Sequence, residues 1–232
     1  DGSGLPTGNG SNNPGVATTI AGGANYSNVF NNKNTDFNAN ITGSDIDKNT
    51  ITNSFTQNLT PNNQFNRNAY SFAHTKSEQE KFGSVLDQKV TDNFSFKFTP
   101  SITKQHNLSN GNSSTKTYLT DGTMVNSDTT TTSSISDAIN SNNTLLLRKK
   151  FAKKGRTISS TITLGYNESN SNSFQYTDQL TYVNKIISKD SLIDRDSKRV
   201  GNSTSYSANV SYTEPITKKS LLEFNAYLSR SI

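Results

Sequence analysis

"FAKKGRTISSTITLGYNES", residues 151–169, decides the fold. After a basic turn, Ile158, Ser160, Ile162, Leu164 and Tyr166 fall on one side of an extended chain. Thr157, Ser159, Thr161, Thr163 and Gly165 fall on the other. Alternation of period two over this length reads as a β-strand with one apolar face and one small, polar face.

The pattern recurs. Phe94, Phe96 and Phe98 alternate with Ser95, Lys97 and Thr99, and Tyr206, Ala208, Val210 and Tyr212 with Ser207, Asn209, Ser211 and Thr213. Leu222, Phe224, Ala226 and Leu228 alternate with Glu223, Asn225 and Tyr227. Phe37, Ala39 and Ile41 repeat the theme, and Ile20, Gly22, Ala24 and Tyr26 do so more weakly. No stretch of comparable length carries a helical period.

Composition narrows the class. The chain has 232 residues, 29% hydrophobic, with no Cys, no Trp and one Met. Asn, Ser and Thr supply about two-fifths of it, a bias shared with disordered chains. Against disorder, the 12 Phe and 9 Tyr gather in alternating runs. The net charge is +5 and the pI about 9.3. Basic residues collect at Lys149–Lys150, Lys153–Lys154–Arg156 and Lys218–Lys219. These read as solvated turns, not as the continuous basic stripe with interleaved aromatics that binds nucleic acid. Without cysteine there is no disulfide framework and no thiol metal site. The longest purely apolar run is Leu145–Leu147, too short for a helix that spans a bilayer. The chain opens at Asp1 and stops at Ile232 inside a strand pattern, so it is expected to be a piece of a longer protein.

Two kinds of connection separate the strands. Short ones occupy 30–36, 89–93, 151–156 and 214–220, rich in the Asn, Asp, Lys, Gly and Pro that hairpin turns require. Long polar segments at 45–78, 108–140 and 169–202 are expected to be loops, and 1–15 a Gly/Asn/Pro-rich loop. Short and long alternate strictly. In an up-and-down sheet alternate connections lie at opposite ends, so one rim carries tight turns and the other all the long loops. Outer-membrane barrels show this asymmetry, with apolar-out, polar-in strands.

The expectation is therefore one domain over 1–232. It is part of an all-β, antiparallel up-and-down transmembrane β-barrel of about eight strands, with short periplasmic turns and long extracellular loops. Strands such as 156–166, 203–213 and 220–230 match the about 9–11 tilted residues needed to cross the hydrocarbon layer. The lipid-facing set is Phe94, Phe96, Phe98, Ile158, Ile162, Leu164, Tyr206, Val210, Leu222, Phe224 and Leu228. Tyr26, Tyr166, Tyr206, Tyr212 and Tyr227 suit an aromatic girdle, and Glu223, Lys97 and Lys104 are expected in the lumen.

Catalytic signals are weak. His74 and His106, the only histidines, stand in polar surroundings without a nucleophile motif and read as loop or lumen residues. "DIDKN", 45–49, opens like a calcium loop but lacks the following Gly and the distal Glu. No catalytic, cofactor-binding or metal residue is assigned. The chain is read as no enzyme, and no cofactor is expected. Tyr118, Phe174, Tyr176 and Tyr182 are candidate aromatics for ligand capture in the long loops.

Particular phrases add a resemblance. "RKKFAKKGRTISSTITLGYN" (148–167) and "SYTEPITKKSLLEFNAYLS" (211–229) resemble the outer membrane protein beta-barrel family of Bacteroidota, relatives of TonB-dependent receptors. "NYSNVFNNKNTDFNANITG" (25–43) and "YLTDGTMVNS" (118–127) are similar to it as well. The resemblance implies an outer-membrane location and a role in uptake or surface binding of a ligand. It further implies a barrel of about 22 strands at full length, of which this chain would supply about eight. An N-terminal β-domain and plug, an energy-transducing inner-membrane complex and a surface lipoprotein are partners that it implies through parts outside this chain. The competing reading is an Asn/Ser/Thr-rich surface adhesin with a soluble β-sandwich or β-solenoid, in which the apolar faces pack on each other.

Overall fold

The computed structural model describes residues 15–60, 63–217 and 219–232. They form one sheet of eight strands: β1 (Val16–Phe30), β2 (Thr35–Thr60), β3 (Asn63–Thr91), β4 (Phe94–Leu119), β5 (Met124–Lys150), β6 (Thr157–Val183), β7 (Ile186–Thr217) and β8 (Ser220–Ser231). Each strand pairs antiparallel with the next in sequence, and the order in space is the order in the chain. The chain is all-β and up-and-down, as the alternation implies. No contact joins β1 to β8, so the sheet is open.

The short turns fall at the expected places. Asn31, Asn32 and Lys33 take left-handed φ values of 53°, 50° and 68°, a conformation that asparagine tolerates better than most residues. The Asn34 amide donates to the Asn31 carbonyl at 3.0 Å.

The long segments differ from the expectation. The segments expected as loops at 45–78, 108–140 and 169–202 are mostly strand: their described residues outside the turns form the outer halves of strands that run 26 to 32 residues. The β2–β3 ladder extends to the pair Thr60 and Asn63, and the chain reverses at 120–123 and at Asn184–Lys185, whose φ values of 52° and 66° suit a two-residue hairpin. The expected loop at 1–15 lies, apart from Gly15, outside the described residues. Hydrophobic alternation is too sparse in these arms to reveal them, because polar residues fill most positions on both of their sides. Backbone pairing continues regardless, helped by cross-strand polar pairs. The Ser77 hydroxyl donates to Asn107 Oδ1 at 2.6 Å, Thr131 to Asn112 Oδ1 at 2.9 Å, and the Thr130 and Thr177 hydroxyls lie 3.0 Å apart.

The register slips steadily across the sheet. One row of paired residues runs Thr35, Gln88, Phe96, Leu147, Ser160, Val210, Ala226. Thr35 opens β2, but β4 opens two residues before this row at Phe94, β6 three before it at Thr157, and β8 six before it at Ser220. Between β2 and β8 the short-turn rim thus recedes by about one residue per strand. One residue of about 3.3 Å against a strand spacing of about 4.8 Å corresponds to a tilt of about 35°. Strands of transmembrane barrels tilt by about 35–45°.

Candidate membrane-facing surface

Paired residues in an antiparallel ladder point to the same side, so the register fixes which side chains share a face. Phe94, Phe96 and Phe98 of β4, Ile158, Ile162 and Leu164 of β6, Tyr206 and Val210 of β7, and Leu222, Phe224 and Leu228 of β8 lie on one face. Leu145 and Leu147 of β5 join them. Phe37 and Ile41 of β2 and Phe82 and Leu86 of β3 are on the same side. With Ile20, Ala24 and Tyr26 of β1, all eight strands contribute apolar residues to this surface, while Val85, Leu146 and Leu221 point the other way. Nothing covers it. Among the described residues no apolar side chain is buried, and Leu228, Phe224 and Leu164 are 68%, 57% and 52% exposed. A globular chain of this length would bury most of its apolar surface.

The apolar surface is a band, not a whole face. On β6 it runs from Ile158 to Tyr166, and the next outward residue, Glu168, is paired with Ile139 and Asn202. Beyond it comes a row of Asp45, Glu78, His106, Asp137 and Asn170. Tyrosines mark the margins: Tyr26 and Tyr212 toward the short turns, and Tyr166 and Tyr206 toward the charged row. Tyr227 is paired with Asn209 on the opposite, polar face.

In the charged belt each histidine has a carboxylate. His74 Nε2 lies 2.9 Å from Asp47 Oδ1, and His106 Nδ1 lies 2.7 Å from Asp137 Oδ1. Lys76 Nζ donates to Glu78 at 2.7 Å and lies 3.3 Å from Asp45. That ammonium holds the Glu78 carboxyl below the ordinary carboxylate range. Asp45 and Asp47 are thereby engaged with Lys76 and His74. The histidines are strand residues on the apolar band's own side, not loop or lumen residues.

The opposite face is small and polar. Thr157, Ser159, Thr161 and Thr163 stand beside Thr213, Ser211, Asn209 and Ser207. Arg148 reaches across β4 to Asp87, Nη2 to Oδ1 at 2.6 Å. Lys97 and Glu223 are on this side, and Glu223 accepts from the Ser211 hydroxyl at 2.9 Å. Lys104 is not: it pairs with Glu80 and Ile139 two residues beyond Ile102, on the apolar side, because even-numbered β4 residues all point that way. A depression of about 510 Å³ on the polar face draws residues from β3 to β7, among them Lys81, Thr103, Asn140, Asn167 and Ser203.

The candidate capture aromatics do not gather at one mouth. Tyr118 is at the tip of β4, Phe174 and Tyr176 pair with Asp196 and Asp194 along the β6–β7 arm, and Tyr182 adjoins its tip. Phe174 and Tyr176 share the side of Ile162, not the hollow polar side.

The short-turn rim holds a cluster that sequence reading missed. Arg156 donates to Glu214 through Nε at 2.7 Å and Nη2 at 2.9 Å, Lys153 Nζ donates at 2.6 Å, and the Tyr212 hydroxyl at 2.6 Å. Arg156 first, then Lys153 and Tyr212, hold the Glu214 carboxyl far below its ordinary value. Partners separated by 58 residues are invisible without the register. No protein-family model matches this chain, and no curated protein matches it in sequence.

Proposed function

We propose that this chain is wall of a β-barrel in the outer membrane of a Gram-negative cell. Its apolar band meets lipid and its hollow polar face meets water. On the resemblance described above, the barrel is of the TonB-dependent receptor type. It takes part in uptake or surface binding of a ligand and catalyses no reaction. One observation carries the lipid-facing reading: a one-layer sheet puts apolar side chains of all eight strands on one uncovered side. The band's height supports it, since Ile158–Tyr166 matches the about 9–11 residues of a membrane-crossing strand. The slipping register supports it too, through the tilt that closure of a barrel requires. The adhesin alternative needs a second layer over that side, and the described residues form only one sheet.

The short turns then lie at the periplasmic rim, and the arms stand outside the membrane. The arms rise as strands and not as flexible loops, so ligand contact falls to the polar hollow and to the hairpin tips.

Because the chain has no cysteine, single replacements give clean probes. Ile162→Cys in the inserted protein is expected to react only with a membrane-soluble maleimide, and Thr161→Cys with a water-soluble one. Equal reaction of both with the water-soluble reagent would sink the reading.

A further inference from the structure

We propose that the short-turn rim formed by the 151–156 turn and the β7–β8 hairpin binds the phosphate headgroup of an anionic phospholipid. The proposal rests on the lipid-facing reading above and adds a headgroup site to it. At this rim the apolar side ends in a row of Phe94, Lys149, Ile158, Tyr212 and Phe224. Lys149 Nζ stands 5.6 Å from the Phe151 ring centroid, Phe151 meets Tyr212 edge-on at 6.4 Å, and Tyr212 meets Phe224 at 6.5 Å. Aromatic rings with cationic tips suit the boundary between acyl chains and headgroups.

The charge at this rim is not balanced. Lys153 and Arg156 share the single carboxylate of Glu214. Lys149, Lys150 and Lys154 have no carboxylate partner among the described residues. Beside them lies a cleft of about 690 Å³, with Lys153, Lys154 and Gly155 on one wall and Pro215, Ile216 and Leu221 on the other. Ile216 and Leu221 are 61% and 67% exposed. Gly155 turns the chain at a φ of +87°, a conformation that favours glycine, beside Pro215. Lysines facing an exposed apolar wall match an amphiphile with an anionic head. Leu221 pairs with Pro215 on the polar side, and the band's edge beside the cleft is its neighbour Leu222. An acidic peptide would satisfy the lysines but leave that wall uncovered.

The test refolds the whole protein onto vesicles of phosphatidylcholine alone or of phosphatidylcholine mixed with phosphatidylglycerol, and reads affinity by flotation. Three proteins are compared: wild type, the rim variant K149Q/K150Q/K154Q, and a control with the same charge change in the arms, K48Q/K116Q/K189Q. Equal insertion of all three into pure phosphatidylcholine establishes that they fold. The wild type and control are expected to prefer the anionic vesicles. The rim variant loses that preference by about fivefold per lysine, the ratio equivalent to about 1 kcal/mol per basic residue at an anionic surface. A rim variant that keeps the wild-type preference, or a control that loses as much, overturns the headgroup site and leaves the lipid-facing reading standing. Failure of the wild type to float with either vesicle overturns both.

Discussion

The inner and outer halves of β6 belong to the same strand and the same ladder, yet they differ in chemistry. From Ile158 to Tyr166 one side is apolar and the other is Ser, Thr and Gly. From Asn167 to Ser173 both sides are polar, and farther out Phe174, Tyr176, Leu180 and Tyr182 return on the side of Ile162, interrupted by Asp178. The contrast separates two things that are often read together. Strand formation is a backbone matter, and it persists through 26 to 32 residues wherever a neighbour supplies the ladder. Alternation records a difference between the two sides, and it lapses where polar residues occupy both, as at Asn167–Ser173.

The largest expected effect tests the inner half. Ile162→Arg puts a cation at the centre of the band and should cost about 2–4 kcal/mol of membrane-inserted stability, read as loss of the heat-resistant folded species. Thr161→Arg, one residue away on the polar face, should be far milder. Equal losses would mean that the two faces are equivalent and that the band has no lipid against it.

A trim of the outer half should have the opposite result. Replacing 172–198 by Asn-Gly joins the paired residues Ser171 and Arg199 through a turn that favours hairpins. It removes no residue of the band, so insertion and heat resistance should survive. Failure to insert would show that the arms, and not the band, hold the sheet together.

The rim supplies a pH-dependent test of intermediate size. The Glu214 carboxyl is held well below its ordinary value by Arg156, Lys153 and Tyr212. A depressed carboxyl contributes stability above its unfolded value, near 4.3, and loses it as pH falls toward the folded value. Hydrogen exchange at the Phe151 and Arg156 amides, which close the turn through the Arg156 and Lys153 carbonyls, should therefore lose protection as pH drops below about 4. Glu214→Gln should lower protection already at neutral pH and flatten this dependence. A variant with the wild-type pH profile would assign the turn's order to something other than Glu214.

The smallest effect compares two adjacent glycines on opposite faces. A Cβ on Gly22 meets nothing within 4 Å, whereas one on Gly23 would lie 2.6 Å from the Ile41 carbonyl oxygen. Gly22→Ala should stabilise by about 0.4–1 kcal/mol through the unfolded chain, and Gly23→Ala should destabilise. Chemical unfolding of the two variants reads the sign directly, and a matching sign would contradict the crowding of the polar face.

How much was legible in the sequence follows from the same physics. The all-β class, the up-and-down path, the short turns near 31–34 and 151–156, and the set that shares a face with Ile162 were readable, because alternation and turn chemistry are local. The Asp121–Gly122 and Asn184–Lys185 turns carried local signals as well, but they lie inside long polar segments that read as loops. The extent of the arms, the slip of one residue per strand, the placement of Lys104 on the apolar side, and the pairs His74–Asp47, Arg148–Asp87 and Arg156–Glu214 were decided only by the tertiary structure. Each depends on which residue stands opposite which across the ladder. Register is a property of two strands at once, whereas the sequence pattern of one strand reports only the environments on its own two sides.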